Sequence, residues 1–294
     1  MKILIIGASG LVGHNCMNHF RAMGETVVGT YFSYAAKDTV FFDTLTPLDV
    51  KNYNCVAFAP DVIVHCGALT FVDYCEQHPG ESYEKTVIST ENVISIARDC
   101  GAKMVFISTD YIFDGKDGPY LEDAAPNAIS IYGQHKLEAE QLVLADIPGS
   151  IVLRITNVYG DEERGKNFVS RIIEQAINKQ KITLRLPADQ YATPVNAFDV
   201  ARVIYLLLSD HKRGVYHIAG TDYMNRVQLA QTILKYFPGA DYDLQALPTT
   251  ELGQPAPRPL QGGLKPAKFL KEYPTFQFTN VDDYLMSVLA RKKK

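Results

Sequence analysis

The chain has no tryptophan, and its five cysteines (Cys16, Cys55, Cys66, Cys75, Cys100) are odd in number and scattered. No pair has C-x-x-C spacing, so neither a zinc ribbon nor a disulfide scaffold is expected, and no metal site. Free thiols in a reducing cytoplasm are the expectation. A basic surplus is also missing: 29 Lys and Arg stand against 33 Asp and Glu, a net charge of -4. Nucleic-acid binders usually carry the opposite balance or a basic stripe, so no nucleic-acid partner is expected. The one basic run, Arg291-Lys292-Lys293-Lys294, reads as a solvated tail. Long apolar runs are absent too. Met1-Lys2-Ile3-Leu4-Ile5-Ile6 mimics the start of a signal peptide but breaks at Gly7, and no stretch approaches membrane-spanning length. There is no internal repeat and no low-complexity linker. At 294 residues the chain is long enough to bury a sizeable core, as one large domain or two fused lobes.

What is present is an alternation. Lys2–Ile6, Thr26–Gly29, Val62–His65, Lys103–Ile107 and Ser150–Ile155 read as short strands. Helical spacing fills Leu11–Met23, Ser82–Asp99 and Ile129–Leu144 between them. Apolar strands alternating with helices predict an α/β fold: a Rossmann-like, doubly wound parallel sheet covered on both faces. After Asn157 the pattern changes. Helices are expected at Asn167–Asn178, Phe198–Leu208 and Met224–Phe237, with strands at Ile182–Leu186 and Val215–Ala219. The stretch from Pro248 to Pro266 is rich in Pro and Gly and reads as a wrap around a cleft. The expected division is a dinucleotide-binding lobe over 1–157, to which 196–219 returns, and a smaller C-terminal lobe, mainly for substrate, over 158–294. Ligands in such sheets sit outside the carboxyl ends of the strands.

Gly7-Ala8-Ser9-Gly10-Leu11-Val12-Gly13 lies between the first strand and the first helix. There Gly7 permits a tight turn, Gly10 lets backbone approach a pyrophosphate, and Gly13 lets the helix pack on the sheet. The helix N-terminus then supplies amide hydrogens and a partial positive charge. The spacing is G-x-x-G-x-x-G, and its strand–turn–helix context is what the motif requires. Ser9, Leu11 and Val12 join the glycines in the expected cofactor site. So do Thr30, Asp43 and Thr44 near later strand ends, Cys66, Gly67 and Ala68 after the Val62–His65 strand, and Ser108 and Ile155. The second strand ends Val28-Gly29-Thr30-Tyr31, without the acid that holds a ribose hydroxyl in NAD sites. No arginine stands there for a 2′-phosphate, and Lys37 is the nearest later cation. NADP(H) is favoured and NAD(H) stays open.

Ser108-Thr109-Asp110-Tyr111 follows another strand, and Tyr132-Gly133-Gln134-His135-Lys136 opens a helix. Tyr-x-x-x-Lys puts a phenol and an ammonium on one helix face. Of the seventeen tyrosines only Tyr132 has lysine four residues on. An ammonium ~6 Å away, at an effective dielectric of ~20, favours phenolate by ~3 kcal/mol, or ~2 pK units. That predicts a Tyr132 acidified toward ~8, suited to proton transfer. Lys136 can also hold the nicotinamide ribose, and Thr109 can aim a hydroxyl at a carbonyl. Tyr132, Lys136 and Thr109 are the candidate catalytic residues. His65 reads as a satisfied core or cofactor-rim residue, Phe41, Phe42, Phe58 and Phe106 as core, and Glu162-Glu163-Arg164 as a solvated loop.

These segments resemble the extended short-chain dehydrogenases/reductases, and within them the dTDP-4-dehydrorhamnose reductases. Ser108-Thr109-Asp110-Tyr111-Ile112-Phe113-Asp114-Gly115 is similar to that family's S-T-D-Y-V-F-D-G. Asn127–Lys136 resembles its P-x-N-x-Y-G-x-x-K, and Leu153–Gly160 its L-R-T-S-W-V-Y-G. Asn167-Phe168, Asp189-Gln190, Thr193-Pro194 and Arg258-Pro259 fall where the family has N-F, D-Q, a P-T-type pair and R-P. The resemblance implies NAD(P)H-dependent reduction of the C4 ketone of a dTDP-linked 6-deoxyhexose, as in dTDP-L-rhamnose synthesis. It implies Thr109, Tyr132 and Lys136 as catalytic, and Asp110, Tyr111, Asn157, Asn167 and Arg258 on the sugar–nucleotide side. Thr70 and Val72 would border the cofactor, Val72 toward the substrate. A homodimer is an expectation from the superfamily.

The chain departs from the pattern at Asn157, where the family has tryptophan, at Thr86, where an asparagine is expected, and at Ala192-Thr193-Pro194-Val195. These loosen the sugar assignment and leave the hydride chemistry intact. A dehydratase would want T-D-E where Thr109-Asp110-Tyr111 stands. Two alternatives stay open: a nucleotide-sugar epimerase, and an NADP-binding regulatory subunit resembling the β subunit of methionine adenosyltransferase.

Overall fold

The computed structural model describes residues 1–292. Its central sheet has seven parallel strands in the spatial order β3-β2-β1-β4-β5-β6-β9. The strands are β1 (Lys2–Ile6), β2 (Thr26–Tyr31), β3 (Thr39–Phe41), β4 (Val62–His65), β5 (Lys103–Thr109), β6 (Ile151–Ile155) and, after β7 (Ile182–Pro187) and β8 (Tyr191–Ala192), β9 (Gly214–His217). Later come β10 (Met224–Asn225), antiparallel to β8, and β11 (Tyr242–Leu247), parallel to β7. The helices are α1 (Leu11–Ala22), α2 (Cys55–Phe58), α3 (Val72–Gln77), α4 (Pro79–Tyr83), α5 (Ser89–Cys100), α6 (Ile131–Asp146), α7 (Phe168–Ile177), α8 (Ala197–Ser209), α9 (Arg226–Leu234), α10 (Ala267–Glu272) and α11 (Val281–Lys292). The expected Rossmann-like α/β fold is what forms.

The continuous apolar runs have a direct cause. Side chains alternate across a strand, so a sheet covered on both faces needs apolar residues at every position. Ile3 and Ile5 of β1 pack with Met17 and Phe20 of α1 and with Val203 and Leu207 of α8. Leu4 and Ile6, pointing the other way, pack with Val93 and Ala97 of α5 and with Ala139 and Val143 of α6. Another core lies away from the sheet, where Ile172 of α7, Leu184 of β7, Ile233 of α9 and Leu285 of α11 meet.

Several expected boundaries move. The single helix over Ser82–Asp99 is α4 and α5 joined by a π-helical turn at Glu84–Ile88. The helix expected from Met224 starts at Arg226, because Asn225 caps it. The Asn225 side chain accepts from the Gln228 N–H while the Gln228 side chain accepts from the Asn225 N–H, a reciprocal capping box. The basic tail is corrected in part. Arg291 belongs to α11 and pairs with Asp161, while Lys293 and Lys294 lie outside the described residues. Among the described residues no helix is long and apolar enough to cross a membrane, and no metal-binding cluster of His, Cys, Asp or Glu occurs.

Buried charge ties the sheet to α6. Arg154 of β6 pairs with Glu140 of α6, both almost fully buried. Ser108 Oγ donates to Glu140 Oε2 at 2.8 Å, and Arg154 Nη1 lies 3.3 Å from His217 Nε2. The other ring nitrogen, Nδ1, is 3.0 Å from the Tyr120 carbonyl, which can only accept. His217 is therefore neutral with its proton on Nδ1, and burial pushes its pKa down to about 3.

Candidate active site

A cavity of about 830 Å³ opens at the carboxyl ends of β1, β2, β4, β5 and β6. Its floor is the loop from Gly7 to Gly13. Gly7 has φ 81, in the left-handed region, and a Cβ on Gly13 would lie 2.4 Å from the Gly7 carbonyl oxygen. A side chain on Gly13 would thus push α1 off the loop. A Cβ on Gly10 meets only the Gly7 oxygen, at 3.4 Å, and would otherwise project into the cradle. The start of α1 is also left open. No side chain caps it and no acid lies in its first turn, whereas Ser130, Asn167, Asn196 and Asn225 cap α6, α7, α8 and α9. Unsatisfied amides at a helix start are where a phosphate binds. The cradle and the free amides fit a dinucleotide pyrophosphate.

The structure brings the expected cofactor residues together. Ser9, Leu11 and Val12 line the cavity with the glycines, as do Thr30, Asp43, Thr44, Cys66, Gly67, Ala68, Thr70, Ser108 and Ile155. Asp43 has its carboxylate engaged locally, accepting from the Leu45 N–H at 2.9 Å and the Thr46 hydroxyl at 3.2 Å. His65 is core, yet only half satisfied: Nε2 lies 3.2 Å from Thr90 Oγ1, while the buried Nδ1 has no partner. Burial lowers its pKa to about 3.

Thr109, Tyr132 and Lys136 line the same cavity. Thr109 ends β5, and Tyr132 and Lys136 lie in the first turns of α6, whose start Ser130 fixes by accepting from the Gly133 N–H at 3.2 Å. Lys136 Nζ donates to the Ile107 carbonyl at 2.5 Å and sits 4.0 Å from the Phe106 ring centroid. Burial lowers its pKa to about 7, against the pull of Glu140 and Cys66. The expectation that Lys136 acidifies Tyr132 is corrected. Burial pushes the Tyr132 phenol well above its usual value, and the neighbouring Thr109 hydroxyl opposes this only in part. Desolvation outweighs the charge because the ammonium is turned toward β5 and itself tends to neutrality.

The expected substrate-side residues divide. Val72, Asp110, Tyr111, Asn157 and Asn167 line the first cavity, and Arg258 lines a second one of about 460 Å³. Asp110, Tyr111 and Asn157 line both. Asp110 is buried and accepts from the Gly263 N–H at 3.1 Å; burial raises its pKa. Asn167 spends its side chain on structure, accepting from the Ser170 N–H at 3.0 Å and donating to the Gly160 carbonyl at 3.1 Å. Asn157 stands at φ 41, a conformation asparagine tolerates, and accepts from Arg226 Nη2 at 2.7 Å. Arg258 Nη2 lies 2.7 Å from Asp73 Oδ1 of α3.

Residues missed from the sequence are mainly arginines. Arg171, Arg185 and Arg226 line the second cavity with Arg258, and Asp110 is the one carboxylate there among the lining residues. Arg226 lies 4.9 Å from the Phe168 ring centroid. These arginines come from α7, β7 and α9, so no local motif marks them. The Glu162-Glu163-Arg164 loop, expected to be solvated, is also corrected: Glu162 and Arg164 line the first cavity.

Comparison with known proteins agrees with this arrangement. The family model described as the RmlD substrate binding domain matches residues 1–291. The Xenopus laevis methionine adenosyltransferase 2 subunit beta is 30% identical over 92% of this chain and 82% of its own length. A dTDP-4-dehydrorhamnose reductase from Clostridium acetobutylicum superposes with TM-score 0.82 at 29% identity, covering 98% of this chain and 100% of that one. A Bacillus anthracis dTDP-4-dehydrorhamnose reductase, solved in complex with NADP, gives TM-score 0.83 at 25% identity over 99% of both chains. The resemblance read from Ser108–Gly115 and the flanking motifs thus holds across nearly the whole chain, which belongs to the RmlD substrate binding domain family.

Proposed function

We propose that this chain is an NAD(P)H-dependent reductase of the C4 ketone of a nucleotide-linked deoxysugar, with dTDP-4-dehydrorhamnose as the leading substrate. One observation carries the reading. Asp110 and Tyr111, next to Thr109 in the chain, stand where the glycine-loop cavity meets the arginine-lined one. The first cavity, lined mainly from 1–157 with the loop around Glu162–Asn167 and Arg226 closing one side, suits a dinucleotide; the second, drawn mainly from 158–294, suits an anionic nucleotide sugar. Planar guanidinium groups bind phosphate oxygens in pairs, which is what a sugar nucleotide's diphosphate presents.

Bound in the first cavity, the nicotinamide supplies the hydride. The chain supplies the proton and the alignment. Tyr132, held protonated by burial, has the form a general acid needs and gives its proton to the ketone oxygen as the alcohol forms. Thr109 Oγ1 donates to Asp110 only at 3.5 Å, so its hydrogen is available to a better-placed acceptor. Lys136, fixed by the Ile107 carbonyl, offers its remaining hydrogens to ribose hydroxyls.

Tyr132→Phe should bind NADPH normally and lose turnover by at least ~100-fold, followed as NADPH consumption with dTDP-4-keto-6-deoxy-L-mannose. Retained turnover would overturn the assignment. A second reading, a regulatory subunit for another enzyme, is favoured by the 30% identity to a methionine adenosyltransferase subunit. Nucleotide binding without turnover, together with stoichiometric co-purification with a methionine adenosyltransferase, would replace the reductase reading with this one.

A further inference from the structure

The strand-end rule leaves cofactor choice open, because neither an acid nor an arginine follows β2. The fold supplies a cation there from elsewhere. The loop between β6 and α7 crosses the mouth of the first cavity, anchored where Asn15 Nδ2 of α1 donates to the Asp161 carbonyl at 3.0 Å. It carries Arg164 to the segment just after β2. The guanidinium carbon lies 5.0 Å from the Tyr34 ring centroid, and Arg164 lines the cavity with Tyr31, Phe32 and Ser33.

Arg164 is also unspent. Its Nε is buried without a hydrogen-bond partner, and among the described residues no carboxylate pairs with it. The nearby Glu162 carboxylate is taken by the backbone and side-chain N–H groups of Asn167. A buried donor without an acceptor is costly, and native proteins tolerate few. An aromatic ring under the guanidinium plane holds it flat and leaves its edges free to donate. The end of the second strand is where a dinucleotide's adenosine ribose lies.

We infer that Arg164 recognises the 2′-phosphate of NADP(H) and sets a preference for NADP(H) over NAD(H). The inference rests on the reading that the first cavity holds a dinucleotide. Tyr34 is the platform for the guanidinium, and Ser33 adds a hydroxyl at the same edge.

Calorimetric titration of the full chain tests it with two ligand pairs, NADPH against NADH and adenosine 2′,5′-bisphosphate against AMP. The second pair lacks both pyrophosphate and nicotinamide and differs only in the 2′-phosphate. Arg164→Gln should weaken NADPH and the bisphosphate by about 10- to 100-fold, the scale of a charge-assisted hydrogen bond, and change NADH and AMP by less than about threefold. Arg164→Lys should recover part of the loss. Unchanged NADH binding shows in the same experiment that the variant is folded. An equal loss for NADPH and NADH, with AMP and the bisphosphate unaffected, would place Arg164 on the pyrophosphate and overturn the inference. A wild-type chain that binds NADPH no better than NADH would overturn it too. If the wild-type chain binds neither dinucleotide, the reading of the cavity falls, and the inference with it.

Discussion

Lys136 is a buried ammonium whose burial should be measurable as stability. Its pKa falls from the ordinary 10.5 to about 7, chiefly through desolvation. The sign follows from linkage. Between pH 7 and 10.5 the unfolded chain holds this proton more tightly than the folded one, so the group costs stability there, fully below pH 7 and progressively less as pH rises. At pH 7 the cost is about 4 kcal/mol, and at pH 9.5 about 1 kcal/mol, on 1.36 kcal/mol per pK unit. Lys136→Met removes the charge and keeps most of the stem, losing the bond to the Ile107 carbonyl, itself worth about 1.5–3 kcal/mol. The variant should therefore be as stable as the wild type or more so at pH 7. Its advantage should shrink by about 3 kcal/mol by pH 9.5, leaving it the less stable protein there. Urea unfolding of both proteins at pH 7, 8, 9 and 9.5, in the absence of nucleotide, gives the difference directly, because every other titrating group cancels between them. A difference that does not change with pH would refute the reasoning and mean that the folded protein keeps Lys136 as readily protonated as the unfolded chain does.

Glu140→Ala leaves Arg154 buried without its partner and should cost about 3–5 kcal/mol in urea unfolding, with Glu140→Gln costing less. A Cβ on Gly133 would sit 2.1 Å from the Tyr111 carbonyl oxygen, so Gly133→Ala should destabilise by about 1–3 kcal/mol and, by shifting the first turn of α6, lower turnover more than NADPH affinity. Asn225→Ala should lower stability by about 1 kcal/mol, since Asn225 both caps α9 and donates to the Ala188 carbonyl at 2.7 Å; an unchanged melting temperature would count against the cap.

What the sequence makes legible is what lies close together along it. The glycine loop, the Ser108–Tyr111 corner and the Tyr132/Lys136 pair each need only one turn or one helix face, so residue spacing places them. The arginines of the second cavity converge from separate elements, and no spacing records that. Arg164 looks like a solvated charge because its acidic neighbours Glu162 and Glu163 mask it; only the packing of its loop over Tyr34 gives it a position. The pK of Tyr132 goes astray for a similar reason. The charge four residues away can be read from the chain, while the water removed around both groups cannot. The π-helical turn at Glu84–Ile88 likewise has no signature in a helical repeat, although Lys85 and the adjoining Ser89 face the cavity.

The last strand of the central sheet has a consequence for synthesis. β9 pairs with β6 from Gly214 to His217, and α8, which covers α1, begins only at Ala197. A nascent chain that has emerged as far as β6 therefore holds the whole glycine loop and the Tyr132/Lys136 helix, but has a bare strand edge and an uncovered apolar face on α1. Exposed edges and faces of that kind recruit other chains. Thr109, Tyr132 and Lys136, all in place along the chain by Ile155, have to wait for more than sixty further residues (Thr156 to His217) before the sheet that carries them is sealed. Ribosome-held chains ending between Ile155 and His217 should therefore be more prone to misassembly and chaperone capture than chains extended past His217.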